Sequence, residues 1–462
     1  MGPEFSAELL KQEEFVEFEV RIATKSIERI ASLNSIAGQF WNGEGRALLD
    51  AEFLAPTSFI ANRSSISLSQ PMVPPSYPAE WTGKMLAKAG LQLLDFLETE
   101  LGKSVRLNES YSRNFQFFLG NPKWVDLGSF SLVGSGLGGF KSFQELQFLK
   151  NYIIPTKLRI QGKEALAAGI LNVHSLTSMN VDETLRLAPS LHLKAIQFVS
   201  PKLRVLISQA IFAPLWLEST PTPLRNSKLG SRMFSIFTRG IALPLLKMRI
   251  RGYRRLLTKA HKQAVKSEWA VYGGRIDKGT ARFDLVERKI SEIGPSTVTD
   301  VGGNRGYVGL RALENRSIQR YIVLDWDPVA IDSVNQKAIE LTESRLFGFR
   351  FNAANPWTDS QAVGYQHRFS SDLVVCLALT HHLLLTSQMS YSRMWRLITS
   401  LTKRDILVEF MPKGLWSKSG AGYITPDWYS EENFVQSIPK EFVIVSRDPV
   451  EENRVLFHLR RK

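Results

Sequence analysis

From residue 283 onward the apolar and polar positions change their period at regular intervals. FDLVERKISEI (283–293) spaces its apolar residues three and four apart, the repeat of a helix that buries one face. STVTDVGG then reads as a short strand ending in glycines, YVGLRALENR as a helix, and YIVLD (321–325) as a strand. PVAIDSVNQKAIEL (328–341) is helical again, opened by Pro328, whose fixed φ suits a first helical turn. FGFRF, DLVVCLAL and DILVEF (405–410) add three strands, with the helix SYSRMWRLITSLT before the last of them. Strands alternating with helices predict βαβ units around a parallel sheet. The closing pair, EFVIVSRDP and NRVLFHLRR, predicts an antiparallel hairpin at the sheet's end.

The first part of the chain lacks this rhythm. Residues 6 to about 200 mix helical periodicity with short β-rich pieces, which predicts an α+β, mainly helical N-terminal domain over 6–213. PLWLESTPTPLRNSK (214–228) is rich in Pro, Ser and Thr and reads as a linker. A basic stretch follows, helical between Leu245 and Lys266, so that 214–268 forms a connector and 269–462 a C-terminal α/β domain. The opening MGPEF (1–5) resembles a cloning remnant and carries no fold information.

Composition narrows the classes. With 462 residues, 44% hydrophobic and 22% charged, the chain has the make-up of a globular protein of two or three domains. Cys376 is the single cysteine, so no internal disulfide is available, and seven scattered histidines supply no metal cluster. The apolar segments 203–217 and 233–246 are short for membrane spans and carry Arg204 and Arg239. No signal peptide is visible, and the expected location is the cytoplasm. The net charge of +14 is concentrated: Arg225 to Lys266 holds twelve Lys or Arg and no Asp or Glu. Such a run suits a nucleic acid, an anionic lipid or an acidic substrate, or else the solvated face of a connecting helix.

Two glycine-rich stretches compete for a nucleotide-like ligand. VGSGLGGF (133–140) satisfies G-x-G-x-x-G literally through Gly134, Gly136 and Gly139. It follows the strand-like KWVDLGSFSL and precedes the helical FKSFQELQFLKNY. Yet no acid stands at a strand end about twenty residues later, and no βαβ unit surrounds it, so a mobile loop is expected there. TDVGGNRGYVG (299–309) fits less literally but lies between a strand and a helix. The next strand ends in Asp325, nineteen residues after Gly306, where a carboxylate can accept hydrogen bonds from a ribose diol. Trp326 beside it offers a ring to an adenine.

D-x-G-G-N-x-G followed by V-L-D-W-D-P resembles the class I S-adenosylmethionine-dependent methyltransferases. LALTHHLLLT (377–386), ILVEFMPK (406–413) and DWYSEENF (427–434) extend the likeness to the group that includes rhizobial nodulation proteins and polysaccharide-cluster methyltransferases, over roughly 265–462. The resemblance implies a Rossmann-like seven-stranded sheet with an antiparallel last strand, and S-adenosyl-L-methionine as cofactor. It implies that Gly302, Gly303 and Gly306 cradle the methionine part, Asp325 holds the ribose hydroxyls and Asn352 falls near the adenine amino group, with Asp300, Asn304, Trp326 and Ala378 among the cofactor-binding residues. Asn352 stands where relatives often carry Asp.

Residues 101–130 carry a fainter likeness. LNESYSRNFQFFLGNPKWVDLGSF sets Asn114 five residues after Glu109 and Asp126 at the head of Asp-Leu-Gly, resembling a kinase or aminoglycoside-phosphotransferase C-lobe. Glu109 replaces the catalytic Asp, and no nucleotide-binding lysine motif is found upstream. The expected role is therefore a non-catalytic domain that shapes the substrate site.

Methyl transfer to a hydroxyl needs an oriented acceptor and a route for its proton. His381 and His382, after the fourth strand, and Glu409, at the end of the fifth, are the candidate catalytic residues, with Lys413 a candidate partner for an anionic substrate. The Asn/Asp-Pro-Pro-Tyr/Phe signature for exocyclic nitrogens is missing, and Cys376 lies inside a strand, against a cysteine nucleophile. Oxygen methylation of a small-molecule, sugar or natural-product acceptor is the leading expectation. An RNA methyltransferase using 225–266 and a non-catalytic scaffold with a retained cofactor fold are the alternatives.

Overall fold

The computed structural model describes residues 18–22, 26–132, 142–172, 243–263, 267, 281–360, 362–415 and 425–462. The GSGLGG loop, the linker 214–228 and the basic residues before 243 lie outside these.

The N-terminal unit combines antiparallel strands with helices. Strands β1 (Glu19–Ile22), β2 (Ser26–Ser32), β3 (Ser58–Ala61) and β4 (Ser65–Pro71) form a sheet in the order β1-β2-β4-β3. Helix α1 (Gly83–Glu98) starts at Thr82, whose hydroxyl accepts the Met85 N–H, and buries Leu86, Ala89, Gly90, Leu93 and Leu94. Four short strands follow: β5 (Val105–Leu107), β6 (Phe115–Phe118), β7 (Asn121–Trp124) and β8 (Phe130–Leu132). β6 pairs with β7 as a hairpin, and β5 pairs with β8 around it. The stretch KWVDLGSFSL is therefore two strands with a turn at Asp126–Ser129 between them. YIIPTKLRIQG is largely the helix α2 (Ile154–Ile160).

The basic segment is more integrated than a connector. Helix α3 (Leu243–Lys262) packs along α1 with Tyr253 and Leu257 buried. Gly90 makes room for it, since a Cβ there would stand 3.0 Å from Leu257 and 3.1 Å from Tyr152. Arg249 forms a buried bidentate pair with Glu145 at 2.6 and 2.8 Å, and the Tyr253 hydroxyl donates to the same carboxylate at 2.7 Å. Arg254 is spent on Asp95 and Glu98. What remains exposed is one stripe, Lys247, Arg251, Arg255, Lys259 and Lys262. Residues 243–262 thus belong structurally to the N-terminal unit.

The C-terminal unit follows the predicted alternation. Helix α4 (Ala281–Ile293) buries Phe283, Val286, Ile290 and Ile293 at helical spacing. Next come β9 (Thr297–Val301), α5 (Tyr307–Ala312), β10 (Arg320–Asp325), α6 (Pro328–Glu340) and β11 (Leu346–Arg350). β12 (Ser371–Cys376), α7 (Tyr391–Ser400), β13 (Thr402–Phe410), β14 (Phe442–Glu451) and β15 (Arg454–Arg461) complete it. The seven strands lie in the order β11-β10-β9-β12-β13-β15-β14. The first five are parallel, and β15 is antiparallel to both neighbours. This is the Rossmann-like sheet with an antiparallel finish that the sequence led us to expect. β9, β10 and β12 are buried almost throughout because helices cover both faces. The strand order reverses between β9 and β12, and a ligand cleft is expected outside their carboxyl ends.

The two units share one continuous hydrophobic core. Arg368 grips Glu80 through two bonds of 2.6 Å, both side chains being buried. Arg350 reaches Glu164 at 2.7 Å, and the Tyr77 hydroxyl accepts the Val363 N–H at 3.0 Å.

Candidate functional site

A cavity of about 580 Å³ opens at the switch point. Its lining includes eight of the nine residues assigned above to the cofactor: Asp300, Gly302, Gly303, Asn304, Asp325, Trp326, Asn352 and Ala378; Gly306, which caps α5, is not among them. His381 and His382 line the same space. Residues separated by almost eighty positions in the chain are thus brought to one place by the register of the parallel strands, in which Asp300 faces Val323 on one side and Val375 on the other.

Backbone conformation shapes the cradle. After β9 the chain is left-handed at Gly302 (φ +77°), Asn304 (φ +47°) and Gly306 (φ +71°). A Cβ on Gly303 would stand 2.6 Å from the Asp300 carboxylate, so only glycine allows that approach. Asn304 pays a local strain for a conformation that side chains seldom adopt, and such strain concentrates at ligand sites. Ala378, in the loop after β12, is left-handed too (φ +50°).

Two buried carboxylates face this cradle. Asp300 accepts the Tyr321 hydroxyl at 3.0 Å, and burial pushes its pKa up to about 7 against that hydrogen bond. Asp325 accepts the Asn304 N–H at 2.9 Å on one oxygen and the Asp327 N–H at 2.8 Å on the other. Burial raises it to about 6, with those backbone bonds opposing the rise. Each oxygen keeps lone-pair capacity for a further donor, as a ribose diol requires. Asp327 in turn caps α6 through the Val329 N–H. Trp326 is 53% exposed, with the Arg350 guanidinium 4.4 Å from its ring centre. Asn352 accepts the Ala354 and Asn355 N–H groups on its amide oxygen, so what it offers a base is its NH₂.

The histidine pair lines the same cavity from the loop after β12. His381 immediately precedes a π-helical turn, His382–Thr386, a rare distortion found often at functional sites. Burial, the adjoining His382 and the Arg454 charge together press His381 down to about 3, so its ring is neutral across the physiological range. Its Nδ1 is buried and has no hydrogen-bond partner among the described residues. Burial lowers His382 as well.

Glu409 requires a correction. Its carboxylate is fully buried and accepts both Arg282 nitrogens at 2.6 and 2.7 Å, the Arg454 guanidinium at 3.1 Å and the Ala378 N–H at 2.9 Å. The carboxylate is thus held as the buried ion-pair partner of two guanidinium groups. Its backbone carbonyl accepts the Thr380 hydroxyl at 2.7 Å, so Glu409 fastens the histidine loop to β13 at two points. Lys413 is likewise engaged, with Glu452. Arg282 and Arg454 are the residues that sequence reasoning missed, because they stand 127 and 45 positions from their common partner. Phe283, Tyr307, Met411 and Leu415 supply an apolar wall beside them.

Cys376 is buried within β12, and its thiol is pushed strongly upward by burial and by the Asp300 and Glu409 charges, so it is no nucleophile. Among the described residues there is no cluster of His, Cys, Asp or Glu fit for a metal, and no helix is long and apolar enough to cross a membrane. In the N-terminal unit, the Asn114 amide donates to Asp126 at 3.0 Å, so the β5–β8 arrangement does bring these two together.

No protein-family model matches the chain. Over 386 residues it is 24% identical to nodulation protein NoeA of Rhizobium meliloti (strain 1021), spanning 80% of this chain and 76% of that protein. Among solved structures it is similar to magnesium protoporphyrin IX methyltransferase of Synechocystis PCC 6803 with bound SAH: 16% identity, 39% of this chain, 82% of that chain and a TM-score of 0.30. It is similar also to the methyltransferase domain of bacterial CtHen1-C: 14% identity, 39% of this chain, 97% of that chain and a TM-score of 0.29.

Proposed function

We propose that this chain, whose C-terminal unit has the class I S-adenosylmethionine-dependent methyltransferase fold, transfers a methyl group from S-adenosyl-L-methionine to an oxygen of a small-molecule or glycan acceptor. One observation carries the reading. The cavity at the switch point joins a left-handed glycine cradle, a buried strand-end carboxylate and a neutral, unpartnered imidazole.

The residues present fit the cofactor. Asp325 holds the ribose hydroxyls, Trp326 and Asn352 receive the adenine, and Gly302, Gly303 and Asn304 leave room for the methionine part beside Asp300. When bound there, S-adenosylmethionine supplies a methyl group on a positively charged sulfur, activated for in-line displacement. The chain's own contribution is position and proton handling. Glu409 and Arg282 are positioning residues that hold the Ala378–His381 loop against β13. His381 accepts the acceptor hydroxyl's proton as the new C–O bond forms. A weak base is sufficient because that proton becomes acidic only as the oxygen acquires its methyl group. The apolar wall of Phe283, Tyr307 and Leu415 keeps water from the reacting atoms.

Calorimetry with S-adenosylmethionine, followed by mass spectrometry of acceptor mixtures, tests the reading. Binding and a single added methyl group are expected, and absence of binding favours the non-catalytic scaffold. The exposed stripe Lys247, Arg251, Arg255, Lys259 and Lys262 supports a second reading, an RNA acceptor. That reading requires RNA affinity that falls steeply with salt and weakens on Arg251→Gln.

A further inference from the structure

Helix α6 borders two cavities. Asp327 and Lys337 belong to the cofactor cleft, whereas Val329, Asp332, Ser333 and Gln336 line a second cavity of about 380 Å³. The facing wall is α1, where Lys84 and Lys88 stand one turn apart, and the last turn of α3 adds His261. Three segments distant in the chain therefore meet around one space. That space is charged. Lys88 donates to the Asn121 side-chain oxygen at 2.6 Å and toward the Gly120 carbonyl at 3.5 Å, both neutral acceptors. Lys84 stands 3.8 Å from Asp332, and that carboxylate also accepts the Thr82 hydroxyl and is pushed up to about 6 by burial. His261 is exposed on the helix's last turn; partial desolvation, then the charges of Lys88, Lys84 and Lys262, hold it below its ordinary range.

We propose that this interdomain cavity is a binding site for a small phosphate-bearing ligand, gripped by Lys84, Lys88 and His261. The two ammonium groups exceed the single carboxylate of Asp332, and the imidazole adds a further nitrogen toward an anion's oxygens. A phosphate carries about −1.5 to −2 at neutral pH and presents several acceptor oxygens, matching donors that arrive from three directions. Lysine binds phosphate as a point charge without demanding planar geometry. Ser333 and Gln336 add neutral partners on the α6 side. The volume lies within the range of small-molecule sites. The site is separate from the methyl-transfer cleft, and the proposal stands whether or not that reading holds.

The test uses the full chain and inorganic phosphate, with chloride at equal ionic strength as the control. In nuclear magnetic resonance titration of the seven histidines, assigned with a His261→Gln variant, saturating phosphate is expected to raise the His261 pKa by about one unit or more. In calorimetry, Lys84→Gln and Lys88→Gln are each expected to weaken phosphate binding about tenfold, while Arg251→Gln on the exposed stripe leaves it within about twofold. A His261 pKa that phosphate does not move overturns the proposal. So does equal weakening in Arg251→Gln, which would mark diffuse attraction to the basic helix. Should the lysine variants fold poorly, the histidine titration of the unaltered protein decides alone.

Discussion

Two elbows in this molecule place an acid at or just past the end of a short strand, and they differ in almost everything else. In the N-terminal unit, Asp126 accepts the Gly128 N–H of its own turn and the Asn114 amide, and Trp124 donates to its carbonyl. In the C-terminal unit, Asp325 is backed by three left-handed residues, a second buried carboxylate and a cavity of about 580 Å³. The first elbow carries the residue spacing of a phosphotransfer site; the second carries the space in which a ligand fits. Spacing along the chain is cheap to satisfy by turn chemistry, whereas a cavity at a sheet's switch point requires seven strands in one order.

The largest expected effect separates the two elbows by catalysis. His381→Ala should lower kcat about 10²–10⁴-fold with KM changed only a few-fold, whereas Glu109→Ala should leave kcat unchanged. Steady-state kinetics of both variants checks this, and a matching loss in Glu109→Ala would make the N-terminal elbow part of the chemistry. Next in size is the joint between the units. Arg368→Ala leaves Glu80 buried without its guanidinium and should cost about 3–5 kcal/mol in denaturant unfolding. An unchanged unfolding midpoint would show that the units are held together by apolar contact alone.

Cofactor affinity sharpens the contrast further. Asp325→Ala removes a charged acceptor for two hydroxyls and should weaken S-adenosylmethionine binding about 100-fold, against less than about twofold for Asp126→Ala. Calorimetry on the two variants side by side distinguishes them. The smallest effect is on pH. Since Asp325 titrates at about 6 in the folded protein, cofactor affinity should fall about tenfold from pH 7.5 to 5 as the carboxylate takes up its proton. His381, at about 3, contributes no limb in that range, so the acid limb should persist in His381→Ala and shrink in Asp325→Ala to the part that Asp300, at about 7, carries. The sign for stability is opposite. Asp300 and Asp325 have folded pKa values above their ordinary 3.8, so they favour folding at low pH, and that contribution is lost as pH rises through about 6 to 7.

Much of the C-terminal unit was legible because parallel strands and covering helices impose two different periods on the apolar residues. DVGGNRG was legible as a candidate site because its glycines stand between a strand and a helix and Asp325 follows at a strand end. The role of Glu409 was not. Its residue type and its place at the end of β13 suggested a base, and only Arg282, packed from α4, and Arg454, at the start of β15, reveal a carboxylate already neutralised. The basic segment misled in the same way. As a run of charge it reads as one surface, but folding divides it into Arg249 and Arg254, spent on acidic partners, and an exposed stripe.

What the sequence determined by itself is therefore local: element type, element order, and the chemistry available at each strand end, all set by interactions within a few residues. What only the tertiary structure decided is partnership. Which acid is neutralised, which imidazole is left without a partner, and which lysines gather around a cavity between units depend on residues tens to hundreds of positions apart. A side chain's protonation and reactivity are set by burial and by neighbouring charge, and both come into being only when the layers pack.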